Sequence, residues 1–131
     1  MGCNSHLSID VRGNWHDGSW DCFAENVREE RWYALYAAMA GVRNYTDAVP
    51  VAQPRGLPED VSDESRDFHH DHSDHNLTWL SPDEFSKAVA LASKDTIQGP
   101  GKIWSAVERT LKTLSEIYGP DNVRLIVGFD N

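Results

Sequence analysis

Both ends of this 131-residue chain alternate apolar with polar side chains. From Cys3 to Val11, the residues Cys3, Ser5, Leu7, Ile9 and Val11 fall on one face of an extended strand, and Asn4, His6, Ser8 and Asp10 on the other. At the far end Val123, Leu125, Val127 and Phe129 form one face, and Arg124, Ile126, Gly128 and Asp130 the other. A period of two cannot present one side of a helix, so both segments read as strands, each with a face to bury. Chain ends are ordinarily frayed. Here each is expected to be built into the same sheet. If the two strands are neighbours, His6 and Asp10 share a face with Arg124 and Asp130, and Gly128 leaves space there. An imidazole beside a carboxylate is an acid–base pair. The competing reading is a solvated sheet face with ordinary salt bridges.

The segments in between fill out the fold. Arg12-Gly13-Asn14 is a turn signal, and Trp15 to Phe23 is expected to return as a hairpin strand. Glu29 to Ala40 reads as a helix on Trp32, Leu35, Tyr36 and Met39, closed by Gly41. A long loop-rich connection follows at about 42–80, broken by Pro50, Pro54 and Pro58, with Ser62 capping a short helix that ends near Phe68. Ser81-Pro82-Asp83-Glu84 is a capping box with proline in the first helical position, starting a helix to about Ser93. A further helix runs from about Lys102 to Tyr118 and stops at Gly119-Pro120. The sum is a single α+β domain over 1–131: a small antiparallel sheet including both terminal strands, with about three helices packed on one face.

Net charge of −9 sets the classes of partner. A uniformly acidic protein repels nucleic-acid polymers and anionic membranes, and no stretch approaches spanning length. A small anion is still open to it, because a few clustered arginines override the mean field, and arginine outnumbers lysine here. The N-terminus shows no basic region followed by an apolar run, and His6 spoils a Met-Gly acylation pattern. Cys3 and Cys22 are therefore expected as free thiols in a reducing cytoplasm.

Candidate site residues come from several segments. The tract Phe68-His69-His70-Asp71-His72-Ser73-Asp74-His75 could bind a divalent metal through His72, Asp74 and His75, though its spacing matches no metal template, and no resident cofactor is expected. Within it His75, anchored by the capped helix at Ser81, is expected in the site, and His69 and His70 in solvent. Arg43, Asn44 and Arg55 sit in or beside turns that fix their backbone, which suits a phosphate ligand. Arg124 adds a cation on the polar strand face, and Trp79 an aromatic plane, as do Trp15, Trp20 and Trp104. The loop Gln98-Gly99-Pro100-Gly101-Lys102 fails the phosphate-loop pattern at Thr96 and Ile103.

The ordered set Met1-Gly2-Cys3, His6, Arg31-Trp32-Tyr33-Ala34-Leu35-Tyr36, Ala40-Gly41-Val42-Arg43, Pro54-Arg55-Gly56-Leu57-Pro58, His75, Trp79-Leu80-Ser81 and Phe129-Asp130-Asn131 resembles a family of small bacteriophage and prophage proteins. Those open Met-Gly-Cys-Asp-Ile-His and end Phe-Asp-Asn. Asn4 stands where that pattern has Asp, and Gly128 where it often has Trp. The resemblance implies an accessory protein acting in the cytoplasm of a bacterial host, where such proteins counter defence. The implied function is to bind and sequester a nucleotide-like, phosphate-bearing immune signal as a homo-oligomer. On that reading His6, Arg43, Asn44, Arg55, His75, Trp79 and Arg124 hold the ligand. A phosphodiesterase using His6, His75 and Asp130 is the first alternative, and an inhibitor of a host protein the second.

Overall fold

A computed structural model describes residues 2–13, 18–27, 30–45, 47–72, 74–94 and 101–130. In chain order these form β1 (Ser5–Val11), β2 (Asp21–Val27), α1 (Tyr33–Ala40), α2 (Asp63–Asp71), β3 (His75–Leu80), α3 (Pro82–Ala92), α4 (Lys102–Tyr118), a short 3-10 turn (Pro120–Asn122) and β4 (Val123–Phe129). The strands make one antiparallel sheet in the order β2-β1-β4-β3. The two terminal strands are its centre. They pair without a slip from Ser5↔Phe129 to Val11↔Val123. The fold is α+β, as the end-to-end alternation requires.

One face of that sheet is the hydrophobic core. Leu7, Ile9 and Val11 of β1 and Val123, Leu125, Val127 and Phe129 of β4 pack beneath Leu35, Tyr36 and Met39 of α1, Phe85 and Ala88 of α3, and Trp104, Val107, Leu111 and Leu114 of α4. Three helices thus cover the face that the apolar alternation marked. The local signals explain two of them. Ser81 and Glu84 complete the capping box at the start of α3, and Gly41 ends α1 in the left-handed conformation at φ 72.

Several expectations need correction. Helix α1 begins at Tyr33, and Glu29, its expected start, lies outside the described residues. Its N-cap is Trp32, which offers no side-chain acceptor to the first amides, so nothing extends the helix backwards. The hairpin partner of β1 is Asp21–Val27, later than the expected Trp15–Phe23, and residues 14–17 lie outside the described residues. The 42–80 segment is not one loop. It contains α2, capped by Ser62 and running past Phe68 to Asp71, and the whole of β3. Strand β3 escapes pattern reading because its pairing slips between His75 and Thr78, where Asn76 adopts a positive φ of 51. Finally, α2 packs on the opposite face of the sheet, against β1 and β2.

The central position of β4 makes a direct prediction. Val127 and Phe129 are fully buried, and each such side chain is worth about 1.5–3 kcal/mol of a total stability of only about 5–15 kcal/mol. Deleting residues 127–131 also strips the β1 ladder of its partner. The truncated chain is expected to yield no cooperative thermal transition; a melting temperature equal to that of the intact chain would show that the terminal strand is not structural.

Candidate functional site

The polar face of β1 is not solvated. Asp10, Ser8 and His6 project from it toward α2, which meets each of them in turn. Ser62 and Ser65 at the start of α2 bind Asp10, His69 binds Ser8, and His72 stacks on His6 with ring centroids 4.4 Å apart. The spacings match. Ten residues of helix rise about 15 Å, and four residues of strand span about 13 Å. Ser62, Ser65, His69 and His72 recur at helical intervals, so one stripe of α2 faces the sheet.

At one end lies Asp10, fully buried. Its Oδ1 accepts from the hydroxyls of Ser62 and Ser65, each at 2.7 Å, and its Oδ2 from the Ser62 backbone amide at 3.0 Å. The Arg124 guanidinium stands 3.4 Å from Oδ2, and also donates to Asp60 at 2.9 Å. Trp20 covers it, with the guanidinium 3.8 Å from the ring centroid and the indole N–H on Asp60 at 3.0 Å. Burial raises the Asp60 carboxyl, but the hydrogen bond and charge of Arg124 outweigh it and hold its pKa below the usual range. Arg124 is therefore an internal counter-ion, engaged by Asp10, Asp60 and the Trp20 ring.

In the middle, Ser8 Oγ lies 3.0 Å from His69 Nε2, and His69 Nδ1 lies 2.7 Å from Asp74 Oδ2. With Asp74 accepting from Nδ1–H, Nε2 of the neutral ring accepts a hydrogen bond from the Ser8 hydroxyl. These are the contacts of a hydrolytic Ser-His-Asp set. The chemistry is nonetheless closed off. Ser8 is fully buried beneath α2, and β1 is paired along both edges, so its amides serve the sheet instead of an oxyanion. The set is a buried hydrogen-bond relay. His69, expected in solvent, is buried; His70 is exposed, as expected.

The far end opens to solvent. His6 Nε2 lies 3.1 Å from Asp130 Oδ2 and 3.8 Å from Asp74 Oδ1, with the His6 side chain 17% and the Asp130 side chain 34% exposed. Opposite His6 in register is Gly128, where a Cβ would come within 2.5 Å of the Asp74 side chain. The expected space at Gly128 exists, and Asp74 fills it. Asp130 also accepts from the Asn4 amide at 2.8 Å, and Asn4 Oδ1 accepts from Arg31 Nε at 2.8 Å. Burial raises the Asp130 carboxyl, but the Asn4 amide and His6 together bring its pKa below the ordinary value. Cys3 donates its thiol to the Asp130 carbonyl at 3.1 Å. Burial, then Asp130, push that thiol up, against the pull of Arg43 and Arg31. Arg31 thus stands on Asn4, and Arg43 lies over the ring of Tyr33, whose hydroxyl accepts from the Cys3 amide at 3.1 Å, with Tyr45 accepting from Arg43 at 3.3 Å. Cys22, like Cys3, is a free thiol.

The remaining candidates stand apart from this corner. Arg55 makes a two-pronged contact with Glu84 at 2.8 and 2.6 Å, donates to the Trp79 carbonyl at 2.8 Å, and lies 4.4 Å over the Trp79 ring. Its charge is spent on the α3 cap. Asn44 staples its own loop through Ala48. His75 pairs in register with Phe129 rather than Gly128, and donates from Nδ1 to Asn76 at 2.9 Å, so it does not join His6 and Asp130. His72 donates to the Phe68 carbonyl, and Asp74 to neither His72 nor His75 is bound. Among the described residues no three His, Cys, Asp or Glu side chains converge to hold a metal ion. The expected trio His72, Asp74 and His75 is dispersed because His69 claims Asp74. Trp15 and residues 98–100 lie outside the described residues. Arg31 is the site residue that sequence reading missed; its place one residue before the α1 cap was the available signal.

Two measurements probe this framework. His69→Ala leaves the Asp74 carboxylate and the Ser8 hydroxyl buried without a partner and is expected to cost about 3 kcal/mol in chemical denaturation, while His70→Ala changes stability by less than about 0.5 kcal/mol. Equal effects would mean that α2 is not docked through His69. For Glu84, the hydrogen bond from Arg55 lowers the folded pKa from 4.5 to about 2. A depressed carboxylate pKa stabilises the fold above the unfolded value and loses that contribution as protons bind. Unfolding free energy is therefore expected to fall between about pH 4.5 and about pH 2, and Glu84→Gln to flatten that part of the profile. No family model, curated protein or solved structure matches the chain.

Proposed function

We propose that the chain binds a nucleotide-like, phosphate-bearing small molecule at the corner where the two terminal strands meet. In the setting that the sequence resemblance implies, it sequesters such a molecule as a phage-type accessory protein. The observation that carries the reading is Arg31 on Asn4 and Arg43 over the Tyr33 ring that meets the Cys3 amide, joined through Asn4 to the His6–Asp130 pair. A local pair of guanidiniums gives an anion a foothold on a chain whose net charge is −9. The exposed Tyr45 supplies flat apolar surface of the kind a base stacks on. Asp130 supplies an acceptor for hydroxyl groups. The second reading is hydrolysis of a phosphodiester in that ligand, favoured by the 3.1 Å contact between His6 and Asp130, since a carboxylate-bound imidazole is a competent general base.

Calorimetry against a panel of linear and cyclic nucleotides tests the reading. Each charge-assisted contact is worth about 1.5–3 kcal/mol, so Arg43→Ala and Arg31→Ala are each expected to weaken binding about ten- to a hundredfold. Arg43→Lys restores little where the contact is two-pronged. Arg55→Ala and Arg66→Ala, away from the corner, bind as the parent does. Product analysis of the same samples separates binding from hydrolysis. The reading fails if no panel member binds, or if the Arg43 and Arg31 variants behave like the Arg66 control; inhibition of a host protein then becomes the better account.

A further inference from the structure

Asp74 presents an unresolved electrostatic feature. Its side chain is fully buried, and its Oδ2 is satisfied by His69. Its Oδ1 is buried without a hydrogen-bond donor among the described residues, and 3.8 Å away stands His6 Nε2. A buried carboxylate oxygen without a donor is costly. It persists here because three other features hold it in place. The Ser8–His69 relay fixes the opposite oxygen, at 3.0 and 2.7 Å along the chain. Gly128 vacates the position facing His6, which any Cβ would close. His72 and Phe68 pack against the His6 ring and limit where it can turn.

We propose that Asp74 is a positioning residue for His6. Asp130 accepts from Nε2 at 3.1 Å, and the Asp74 charge 3.8 Å from the same nitrogen adds to that attraction, so the neutral imidazole keeps its proton at Nε2 and leaves Nδ1 as a hydrogen-bond acceptor. An acceptor two residues along the strand from Asn4, which holds the Arg31 guanidinium, is complementary to a phosphate ester that also carries a hydroxyl, as a ribose phosphate does, and bare phosphate meets only the cation. This second half rests on the ligand reading given above; the first half does not. Ser8 and His69 act one step further back, by orienting Asp74.

Nitrogen-15 NMR of the imidazole rings in the full chain, at a pH above the ordinary imidazole range, reads both halves. In ligand-free protein His6 is expected as the Nε2–H tautomer with a proton slow to exchange with water, and His69 as the opposite, Nδ1–H tautomer. Asp74→Asn, which conserves volume, is expected to speed exchange of the His6 proton about tenfold, through loss of the carboxylate charge 3.8 Å from Nε2. Gly128→Ala, by displacing Asp74, is expected to do the same, with signal dispersion reporting whether each variant folds. A His6 proton on Nδ1, or an unchanged exchange rate in folded Asp74→Asn, overturns the positioning role. Ribose 5-phosphate is expected to shift the His6 Nδ1 resonance, and inorganic phosphate to leave it in place. Equal responses, or none, overturn the hydroxyl assignment and leave the ligand-free result standing as the separate test of Asp74.

Discussion

The carboxylate of Asp10 is the constraint on which the second layer of the molecule depends. A charge with no solvent exposure in the middle of a sheet costs several kcal/mol unless its oxygens are fully bonded. The donors that bond it come from Ser62 and Ser65, 52 and 55 residues along the chain, and from Arg124 on the neighbouring strand. Two of them belong to the first turn of α2, where free amides and the helix dipole already favour a negative charge. Asp10 therefore fixes both the place and the direction of α2. Everything that α2 brings to the sheet, including His69 and the ring of His72, follows from that anchor.

The sheet is consequently a membrane between two different kinds of interior. On one side, aliphatic and aromatic groups from three helices fill space, and such packing tolerates exchange of one apolar shape for another. On the other side, serines, histidines and acids meet partner by partner. That layer accepts few substitutions, because each loss strands a buried polar group. The site grows from the second layer where it reaches solvent, at the edge between Asn4 and Asp130.

What the sequence revealed divides along the same line. The terminal strands were legible because period two over nine residues admits one reading, and α3 and α4 because caps and apolar spacing agree. Helix α2 was half legible: Ser62 announced its start, but its stripe of Ser65, His69 and His72 is polar, and polar residues are ordinarily assigned to solvent. The stripe becomes meaningful only against the complementary stripe of Asp10, Ser8 and His6, more than fifty residues earlier. His69 was misjudged for that reason, since its burial is decided by Ser8, 61 residues away. Arg55 shows the converse. Its turn is rigid, as its flanking Pro54 and Gly56 suggest, but its charge answers Glu84 in a cap 29 residues on. Strand β3 was hidden by its irregular pairing at Asn76. The terminal corner was legible as a place, through His6 and Asp130, and not as a complete set, because Arg31 reaches it only through Asn4.

The placement of β4 between β1 and β3 has a consequence for a chain emerging from the ribosome. The β1–β2 hairpin is made first and waits with its inner edge bare while the helices are synthesised. Those helices have apolar faces and only part of the floor they rest on, since β4 supplies Val123, Leu125, Val127 and Phe129 of it. Closure is a single late event with high sequence separation, which is slow and strongly cooperative. During the wait the exposed β1 edge can pair with the same edge of another nascent copy. How long β1 remains without β4 thus sets how long that edge stays open to such pairing.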